Sequence, residues 1–533
     1  MSIFKKNKSV ENNQSGIKKN NNTSPEDEQL IDQQEIVEAI GNYQNKKLYN
    51  TVSENIEFIK RLIGESWDLS TREVVLVNEQ QKIKIGIVFF AGLADQTFVS
   101  ETILETLSNN FKKTNEKIKP ENSLIHFKNN LLTMAGVEEA DDFGKLLNLL
   151  LNGDTILLID DIQSCLVIGS RKMFERAVSA PETNVTVKGS KDSFNENLLT
   201  NISLIRRRVR NPNLWAISYI IGKNSNTNVV MMYIKGLAED KLVKEVESRI
   251  KKIETDSIVT INYMKYFLRE KQFSIFPLIY DTERPDDASA CLFEGKVLVL
   301  IDGCPFILVA PNFFINSMVS MDDFHNPSYA ATFFRTIRLI AFYLSILLPG
   351  IYLAIIMYHS ELFPIFFLFS VAGQRVDVPF PAFVEVLIMS LAFDFLRESG
   401  ARMPSALGST LSFVGAIIIG QAAVQAGLIS AIIVIVISIT GVAGLIIADY
   451  DLNIAVTVLR YVFIILGGLF GLFGMVLGII VLLTHLVSLR SFGVAYFAPF
   501  APFKAAGLKD TFFRAPIGKL FKTKKSITEK YPE

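Results

Sequence analysis

Two regions of the chain differ in how apolar and polar residues alternate. Before about residue 328, short apolar stretches alternate with polar turns and amphipathic segments, as in "KIKIGIVFFAGLAD" followed by "QTFVSETILETLSNNF". After it, long apolar stretches dominate, and no Asp, Glu, Lys or Arg occurs between Arg402 and Asp449 or between Arg460 and Arg490. As one helix, the first uncharged run would measure roughly 69 Å, against about 30 Å for the hydrocarbon core of a bilayer. The pattern predicts an α/β cytosolic region followed by an all-α polytopic membrane domain.

The same pattern divides the chain into five parts. Residues 1–48 are rich in Asn, Gln, Lys and Glu, and we predict a disordered polar tail. Residues 49–190 and 191–328 are predicted to form two α/β subdomains, residues 329–490 the transmembrane helical domain, and residues 491–533 a cytosolic C-terminal tail. The first residues contain no apolar stretch long enough for a signal peptide, so the N-terminal region is expected to stay in the cytosol.

Turn and cap residues predict local elements of the α/β region. "NGDTILLIDDIQSCLVIGS" predicts two strands around a polar turn at Asp160, and "EGKVLVLIDGCPFILVAP" predicts a hairpin that turns at Asp302-Gly303. Ser193 and Glu196 have the spacing of a capping box for a helix that ends in "RRRVR". These arginines either bind phosphate or lipid headgroups or form a solvated helix end that complements the helix dipole.

Charge placement predicts an orientation for the membrane segments, with the soluble region inside. In chain order the segments run outward at 339–360, inward at 380–397, re-entrant at 410–427, outward at 428–448 and inward at 461–489. This topology of four crossings and one re-entrant segment puts Asp449 and Asp451 outside and the lysine-rich "KLFKTKK" tail inside. Arg460 is the one basic residue that departs from the positive-inside rule. Five or six crossings are the alternatives.

The sequence contains no recognised catalytic or cofactor motif. There is no phosphate-binding glycine loop, no nucleophile elbow, no zinc-protease helix and no dinucleotide fingerprint. Cys165, Cys291 and Cys304 lie far apart, which agrees with a reducing compartment, and the four histidines are scattered. We therefore expect no enzymatic activity, no cofactor, no metal site and no nucleic-acid partner.

Ionisable residues within the apolar segments are candidates for function because they are costly at membrane depth. Glu385 and Asp394 are nine residues apart, about 180° around a helix, so both cannot line one surface. Asp394 is predicted to pair with Arg397, and Glu398 with Arg402. Glu385 has no local partner. Either a role in a pore or cavity or a hydrogen bond at an interface accounts for it.

Two glutamines interrupt the apolar stretch "GAIIIGQAAVQAG", residues 415–427. Gln421 and Gln425 lie on one helical face, and leaving one amide unpaired in hydrocarbon costs on the order of several kcal/mol. The glycines of the stretch weaken a helix, which is tolerated at membrane depth where backbone is buried or lines a cavity. The glutamines therefore either line a pathway on a broken segment or hydrogen-bond between helices.

Four glycines recur in the last apolar segment as two GxxxG pairs. No strand precedes them, so a nucleotide-binding loop is disfavoured, and the small residues predict close approach of another helix. They are Gly467, Gly471, Gly474 and Gly478.

Five motifs resemble, in this order, the A subunit of the GerA family of spore germination receptors. They are "FNENLLTNISLIRRRVRNPNL", "YIKGLA", "TERPDDASACLFEGKVLVLIDGCPFILVAP", "LRESGARMPSALGSTLSFVGAIIIGQAAVQAGLIS" and "HLVSLRSFGVAYFAPFAP". The resemblance runs from about residue 50 to 517. One departure is that Ser430 is followed by Ala431, where the family usually has Ser-Pro, so the kink expected from a proline is missing.

The resemblance implies a multi-pass protein of the spore inner membrane that triggers germination. It also implies assembly with a transporter-like B subunit and a lipoprotein C subunit, and homo-oligomerisation into a nutrient-gated channel that releases monovalent cations. A secondary transporter or germinant-binding membrane protein is the alternative, but transporters usually contain inverted repeats and the "GAIIIGQAAVQAG" pattern occurs once. A membrane enzyme would need catalytic residues that the sequence does not offer.

Overall fold

The computed structural model describes residues 43–113, 124–131, 136–172, 188–270, 274–402 and 420–503, together with residues 181, 186, 511, 513 and 514. The α/β region precedes a helical region, as the sequence predicts. Most of the predicted tail 1–48, the first part of segment 410–427 and most of the C-terminal tail lie outside the described residues.

The first subdomain is a five-stranded antiparallel sheet with helices on both faces. Its strands lie in the order β1-β2-β4-β5-β3. Asp160 Oδ1 accepts a hydrogen bond from the Val52 backbone N–H at 2.9 Å, so the predicted turn also caps the first helix. The elements are α1 Val52–Ile63, β1 Leu69–Val77, β2 Lys82–Phe90, a π-helical stretch Phe98–Leu104 leading into α2 Glu105–Lys113, a second π-helical stretch Phe127–Leu131, β3 Val137–Ala140, α3 Phe143–Leu151, β4 Thr155–Ile159 and β5 Cys165–Ile168.

The second subdomain repeats this strand order, β6-β7-β9-β10-β8, which makes the two subdomains a structural repeat that sequence patterns did not reveal. The predicted hairpin is present as β9 and β10, and Gly303 at its turn has a φ of 77°, where glycine is favoured. The elements are α4 Leu198–Arg208, β6 Leu214–Ile221, β7 Thr227–Ile234, α5 Asp240–Lys251, α6 Ile261–Leu268, β8 Tyr280–Thr282, α7 Pro285–Phe293, β9 Val297–Ile301 and β10 Ile307–Ala310.

One local prediction about α4 is wrong, and a second fails at Arg206, although Arg207 and Arg208 lie in the last turn as expected. The helix is capped by Asn197, whose side chain accepts from the Thr200 backbone N–H at 2.9 Å, and not by a box at Ser193. Within "RRRVR", Arg206 is neither solvated nor available to a headgroup, because it is 1% exposed, paired with Asp68 of the first subdomain and stacked on Phe90. The arginine therefore anchors one subdomain to the other.

The helical region contains two helices, α9 and α13, that are long and apolar enough to cross a membrane, counted over the described residues. Residues 420–425 are also helical, and a short two-stranded ribbon follows the last helix. The elements are α8 Asp322–His325, α9 Ser328–Tyr358, α10 Ile365–Arg375, α11 Ala382–Ala401, α12 Ala431–Leu445, α13 Tyr450–Ser488, β11 Arg490–Ser491 and β12 Val494–Ala495.

The helix α13 folds back on itself at Gly471, whose φ of 62° and ψ of −147° are not helical. A Cβ placed on Gly478 would lie 2.7 Å from Leu466 Cδ1 and 2.9 Å from Phe463 Cε1. In a straight helix, residues 463 and 478 would be about 22 Å apart along the axis. The predicted single inward segment 461–489 is therefore wrong, since it belongs to the two legs of a helical hairpin.

Both ends of this hairpin lie against the second subdomain. Near its start, Lys265 Nζ lies 2.6 Å from Asp451 Oδ2 and 2.5 Å from Asp281 Oδ1 of β8. Near its end, the His485 ring packs 6.2 Å from the Phe276 ring. The prediction that Asp449 and Asp451 face away from the soluble region is therefore wrong. The turn at Gly471 contains no polar residue, so hydropathy predicted one crossing at 461–489. The direction predicted for 428–448 depended on that single crossing.

Candidate polar site among the apolar helices

Glu385 connects α11 to the start of α12. It lies in the first turn of α11 and its side chain is completely buried. Its Oε2 atom accepts a hydrogen bond from the backbone N–H of Ser430, the N-cap residue of α12, at 2.9 Å. A carboxylate is favourable there because the first N–H groups of a helix have no partner within it and carry partial positive charge. The partner missing from the sequence analysis is thus a backbone group 45 residues away.

The other carboxylate oxygen of Glu385 faces Arg375 at the end of α10. The distance from Arg375 Nε to Glu385 Oε1 is 3.5 Å, and neither atom makes a hydrogen bond within the described part of the chain. Tyr352 of α9 lies close enough to interact with both charges and with Ser430. Glu385, Arg375, Tyr352 and Ser430 form what we call the Glu385 cluster.

Asp394 is held by a different set of residues, two turns further along α11. Both of its oxygens accept from Arg460 Nη2 of α13, at 2.6 and 2.8 Å, and the Tyr461 hydroxyl donates to Oδ2 at 2.5 Å. The predicted partner Arg397 is 3.6 Å away, so it is secondary. The predicted pair of Glu398 with Arg402 is present at 2.6 Å.

Arg460 is the neighbour of Asp394 that the sequence alone did not predict. It is 3% exposed although it is the basic residue that broke the positive-inside rule. An arginine in an apolar helix that violates the charge rule is a signal for a buried acidic partner. Asp394 is that partner, although its spacing had predicted a local pair with Arg397. As expected from their spacing, Glu385 and Asp394 are not brought together.

Gln421 and Gln425 are exposed on the surface of the single chain. The helical residues 420–425 end at Gly427, whose φ is 66°, and the chain becomes helical again at Ala431. The segment is therefore broken between the glutamines and the Glu385 cluster, although no proline follows Ser430. Gly415 lies outside the described residues.

The four glycines of the last apolar segment have three different environments. Gly467 packs against Gly350 of α9, so closely that a Cβ on either residue would overlap backbone of the other helix. Gly471 forms the turn of the hairpin, and Gly474 and Gly478 let its second leg approach the first. Close helix packing remains their predicted role, but most of it occurs within one chain and not along one straight face.

The junction between the second subdomain and α13 is a second polar area. Burial raises the pKa of Asp281, opposed by Lys265, and burial also raises the pKa of Asp449. Burial lowers the pKa of Lys265, but the two carboxylates that it contacts outweigh this and leave it raised. Asp281 and Asp451, whose side chains are 25% and 37% exposed, thus share one ammonium group. A cavity of about 630 Å³ beside them leaves room for water.

Comparison with known proteins identifies a family. The family model described as "Bacillus/Clostridium GerA spore germination protein" matches residues 57–526. The chain is 35% identical over 466 residues to Spore germination protein KA of Bacillus subtilis, covering 87% of this chain and 85% of that protein. It is 34% identical over 471 residues to Spore germination protein GerLA of Bacillus cereus, covering 88% and 94%.

A solved structure is also similar to part of the chain. It is the N-terminal domain of the A subunit of the Bacillus megaterium spore germinant receptor GerK3, with 32% identity and a TM-score of 0.41. The match covers 50% of this chain and 98% of that domain.

Proposed function

The chain belongs to the GerA family of spore germination proteins, and from this premise we propose that it is the membrane-embedded A subunit of a nutrient germinant receptor. In this proposal it resides in the spore inner membrane with its α/β region in the cytosol. It assembles with a transporter-like B subunit and a lipoprotein C subunit and acts as a receptor component, not as an enzyme.

We place six passes in the membrane. The cytosolic side is marked by Lys265 with Asp451 and by Arg338, which binds Asp323 just before the apolar part of α9. At the other side, the Tyr358 hydroxyl at the end of α9 donates to the backbone oxygens of Gly468 and Leu469, next to the turn of the hairpin. In this topology α9 runs outward, α11 and α12 both run inward, and the two legs of α13 run outward and inward. Because α11 and α12 both run inward, the sixth pass, an outward one, has to fall between them in the chain.

The second part of the proposal is that several copies surround a path for monovalent cations. The exposure of Gln421 and Gln425 is the observation that carries it, because two primary amides facing lipid would each cost on the order of several kcal/mol. We infer that a second copy of the chain or a water-filled path covers that face. The broken backbone at Gly427 is of the kind that occurs where a segment lines a cavity.

The test is the double variant Gln421→Leu with Gln425→Leu, assayed in the full receptor reconstituted in liposomes. If the glutamines line the path, nutrient-dependent efflux of K⁺ falls sharply because an apolar ring in a narrow pore loses its water. The crosslinked oligomer should persist. Normal efflux with weakened oligomers would mean that the amides join helices, where each hydrogen bond contributes about 0.6 to 2 kcal/mol.

The topology has its own test in a cysteine placed at Phe473, beside the hairpin turn and exposed in the single chain. A membrane-impermeant thiol reagent added outside should label it, whereas a cysteine at Val75 of the first subdomain should react only after permeabilisation. Background is low because Cys165, Cys291 and Cys304 are all buried. Labelling of both positions from the same side would contradict the six-pass arrangement.

A further inference from the structure

The Glu385 cluster contains several buried polar atoms that make no hydrogen bond to another described residue. Glu385 Oε1, the Tyr352 hydroxyl and the Ser430 hydroxyl are buried, and within the described ranges none has a hydrogen-bond partner. Leaving one such group unpaired is unfavourable, because it loses its hydrogen bonds to water and gains none in the protein. In the described part of the chain, Glu385 Oε1 has only the long contact with Arg375, and the Tyr352 and Ser430 hydroxyls have only each other nearby. Because buried polar groups are normally hydrogen-bonded, these three oxygens on neighbouring residues indicate a bound species between them.

The chemistry of these atoms selects the class of ligand. A carboxylate oxygen and two hydroxyl oxygens are hard donors, which suit a hard cation. Only one carboxylate is present, and the described residues contain no group of three His, Cys, Asp or Glu side chains that could hold a metal ion. One negative charge matches a monovalent cation better than a divalent ion, which usually takes several carboxylates.

We propose that Glu385, Tyr352 and Ser430 form a binding site for a monovalent cation. When the site is empty, the Arg375 guanidinium supplies the positive charge beside Glu385 in place of that cation. The inference rests on the proposed cation pathway and adds to it a site and a competing group. In this proposal the positively charged side chain of Arg375 competes with the bound ion for the carboxylate of Glu385.

The contact of Arg375 is weak enough to be displaced. Its 3.5 Å separation from Glu385 exceeds the 2.7–2.9 Å typical of charge-assisted hydrogen bonds, and it contrasts with the 2.6 Å contact of Arg460 with Asp394. Arg375 is the last residue of α10, an 11-residue helix whose side chains are mostly exposed. Within the single chain, a displacement of α10 would break few buried contacts.

The start of α12 keeps the bound cation from being held too tightly. The Glu385 Oε2 atom is engaged by the Ser430 N–H, and the positive end of the helix offsets part of the carboxylate charge. A partly neutralised site binds a cation weakly when Arg375 is away. Weak binding suits a path through which ions must both enter and leave.

Two variants distinguish this site from a structural ion pair, because the proposal gives them opposite signs. Arg375→Met removes the competitor and should raise nutrient-independent Rb⁺ flux, whereas Glu385→Gln removes the charge and should lower nutrient-dependent flux. A purely structural pair predicts that both variants lose flux and thermal stability together. Arg402→Met, which breaks the exposed pair with Glu398, is the matched control and should change neither quantity.

A binding measurement separates failure of the site from failure of the proposed pathway. In the purified full chain, KCl replaces choline chloride at constant ionic strength, and the shift of the unfolding temperature reports cation binding. We expect a shift for the native chain, an apparent affinity about tenfold higher in Arg375→Met, and no shift in Glu385→Gln. Equal shifts in all three would overturn the site even if the receptor conducts, whereas the expected shifts without any flux would overturn the pathway alone.

Discussion

The buried pair of Asp394 and Arg460 offers the sharpest test of the helix packing. Arg460 is 3% exposed, and one of its nitrogens binds both oxygens of Asp394 at 2.6 and 2.8 Å. Asp394→Leu would leave the arginine buried among apolar helices without its partner. Removing one member of such a pair costs about 3–5 kcal/mol, whereas replacing both members by apolar residues is often neutral.

The geometry also predicts an asymmetry between the two single variants. Arg460→Met leaves Asp394 with the Tyr461 hydroxyl at 2.5 Å and with Arg397 at 3.6 Å, close enough to replace the lost cation. Among the residues that the structure describes, Asp394→Leu leaves Arg460 no other acid in ion-pair contact. We therefore expect a larger loss for Asp394→Leu than for Arg460→Met and near-recovery in the double variant.

The assay is a double-mutant cycle on the full chain in detergent micelles, with unfolding temperature and folded yield as readouts. The control cycle uses Glu398→Gln and Arg402→Gln, an exposed pair for which about 0–1 kcal/mol is expected. A double variant that is as unstable as Asp394→Leu alone would refute the reasoning. It would mean that Asp394 acts through packing and not through its charge.

Three further expectations concern other contacts. Lys265→Met should lower the unfolding temperature more than Lys251→Met, because it leaves Asp281 and Asp451 without their shared cation whereas Lys251 is mostly exposed; equal losses would contradict the junction. Gly467→Val should abolish folded protein, since its Cβ would overlap the Gly350 carbonyl, while Gly373→Val, whose Cβ meets nothing within 4 Å, should be tolerated. Burial raises the pKa of Asp287 above its usual value, so protonation of Asp287 stabilises the native state as pH falls through that raised pKa. Asp287→Asn should therefore be stabilising at pH 7, and the difference in unfolding temperature from the native chain should shrink on acidification.

The sequence predicted those elements that are determined by residues close to one another in the chain. The β9–β10 hairpin follows from a glycine at a position that needs positive φ. The salt bridge of Glu398 with Arg402 follows from one helical turn. None of these depends on how distant parts of the chain meet.

Partners that are distant in the sequence could not be predicted in this way. Ser430 is 45 residues from Glu385, and Arg460 is 66 residues from Asp394, so their contacts exist only after the helices pack. The burial of Arg206 likewise depends on docking against Asp68 in the other subdomain. Side-chain chemistry indicated that Glu385 and Asp394 need partners, but the choice among possible partners is made by the tertiary structure.

The fold-back at Gly471 was hidden for a different reason. A turn between helices is normally announced by polar residues, because its backbone groups need partners. Here the break needs only one glycine in a conformation that other residues rarely adopt, and the sequence on both sides remains apolar. Hydropathy therefore indicated one span, and charge counting then assigned Asp449 and Asp451 to the wrong side.

Because the chain turns back at Gly471, a continuous series of contacts runs from the soluble region to Glu385 and returns to its starting point. Lys265 binds Asp451 at the start of α13, Arg460 of the same helix binds Asp394 of α11, and Glu385 of α11 binds the start of α12. The end of α12 leads back to α13 beside Lys265. A displacement of the second subdomain has to be absorbed somewhere along this series, where each named link is a hydrogen bond or ion pair of 2.6 to 2.9 Å. The contact of Arg375 with Glu385 branches off this series at its Glu385 end. It is longer, at 3.5 Å, and not hydrogen-bonded, so a displacement that reaches Glu385 should change this contact at lower cost than any of the three named links.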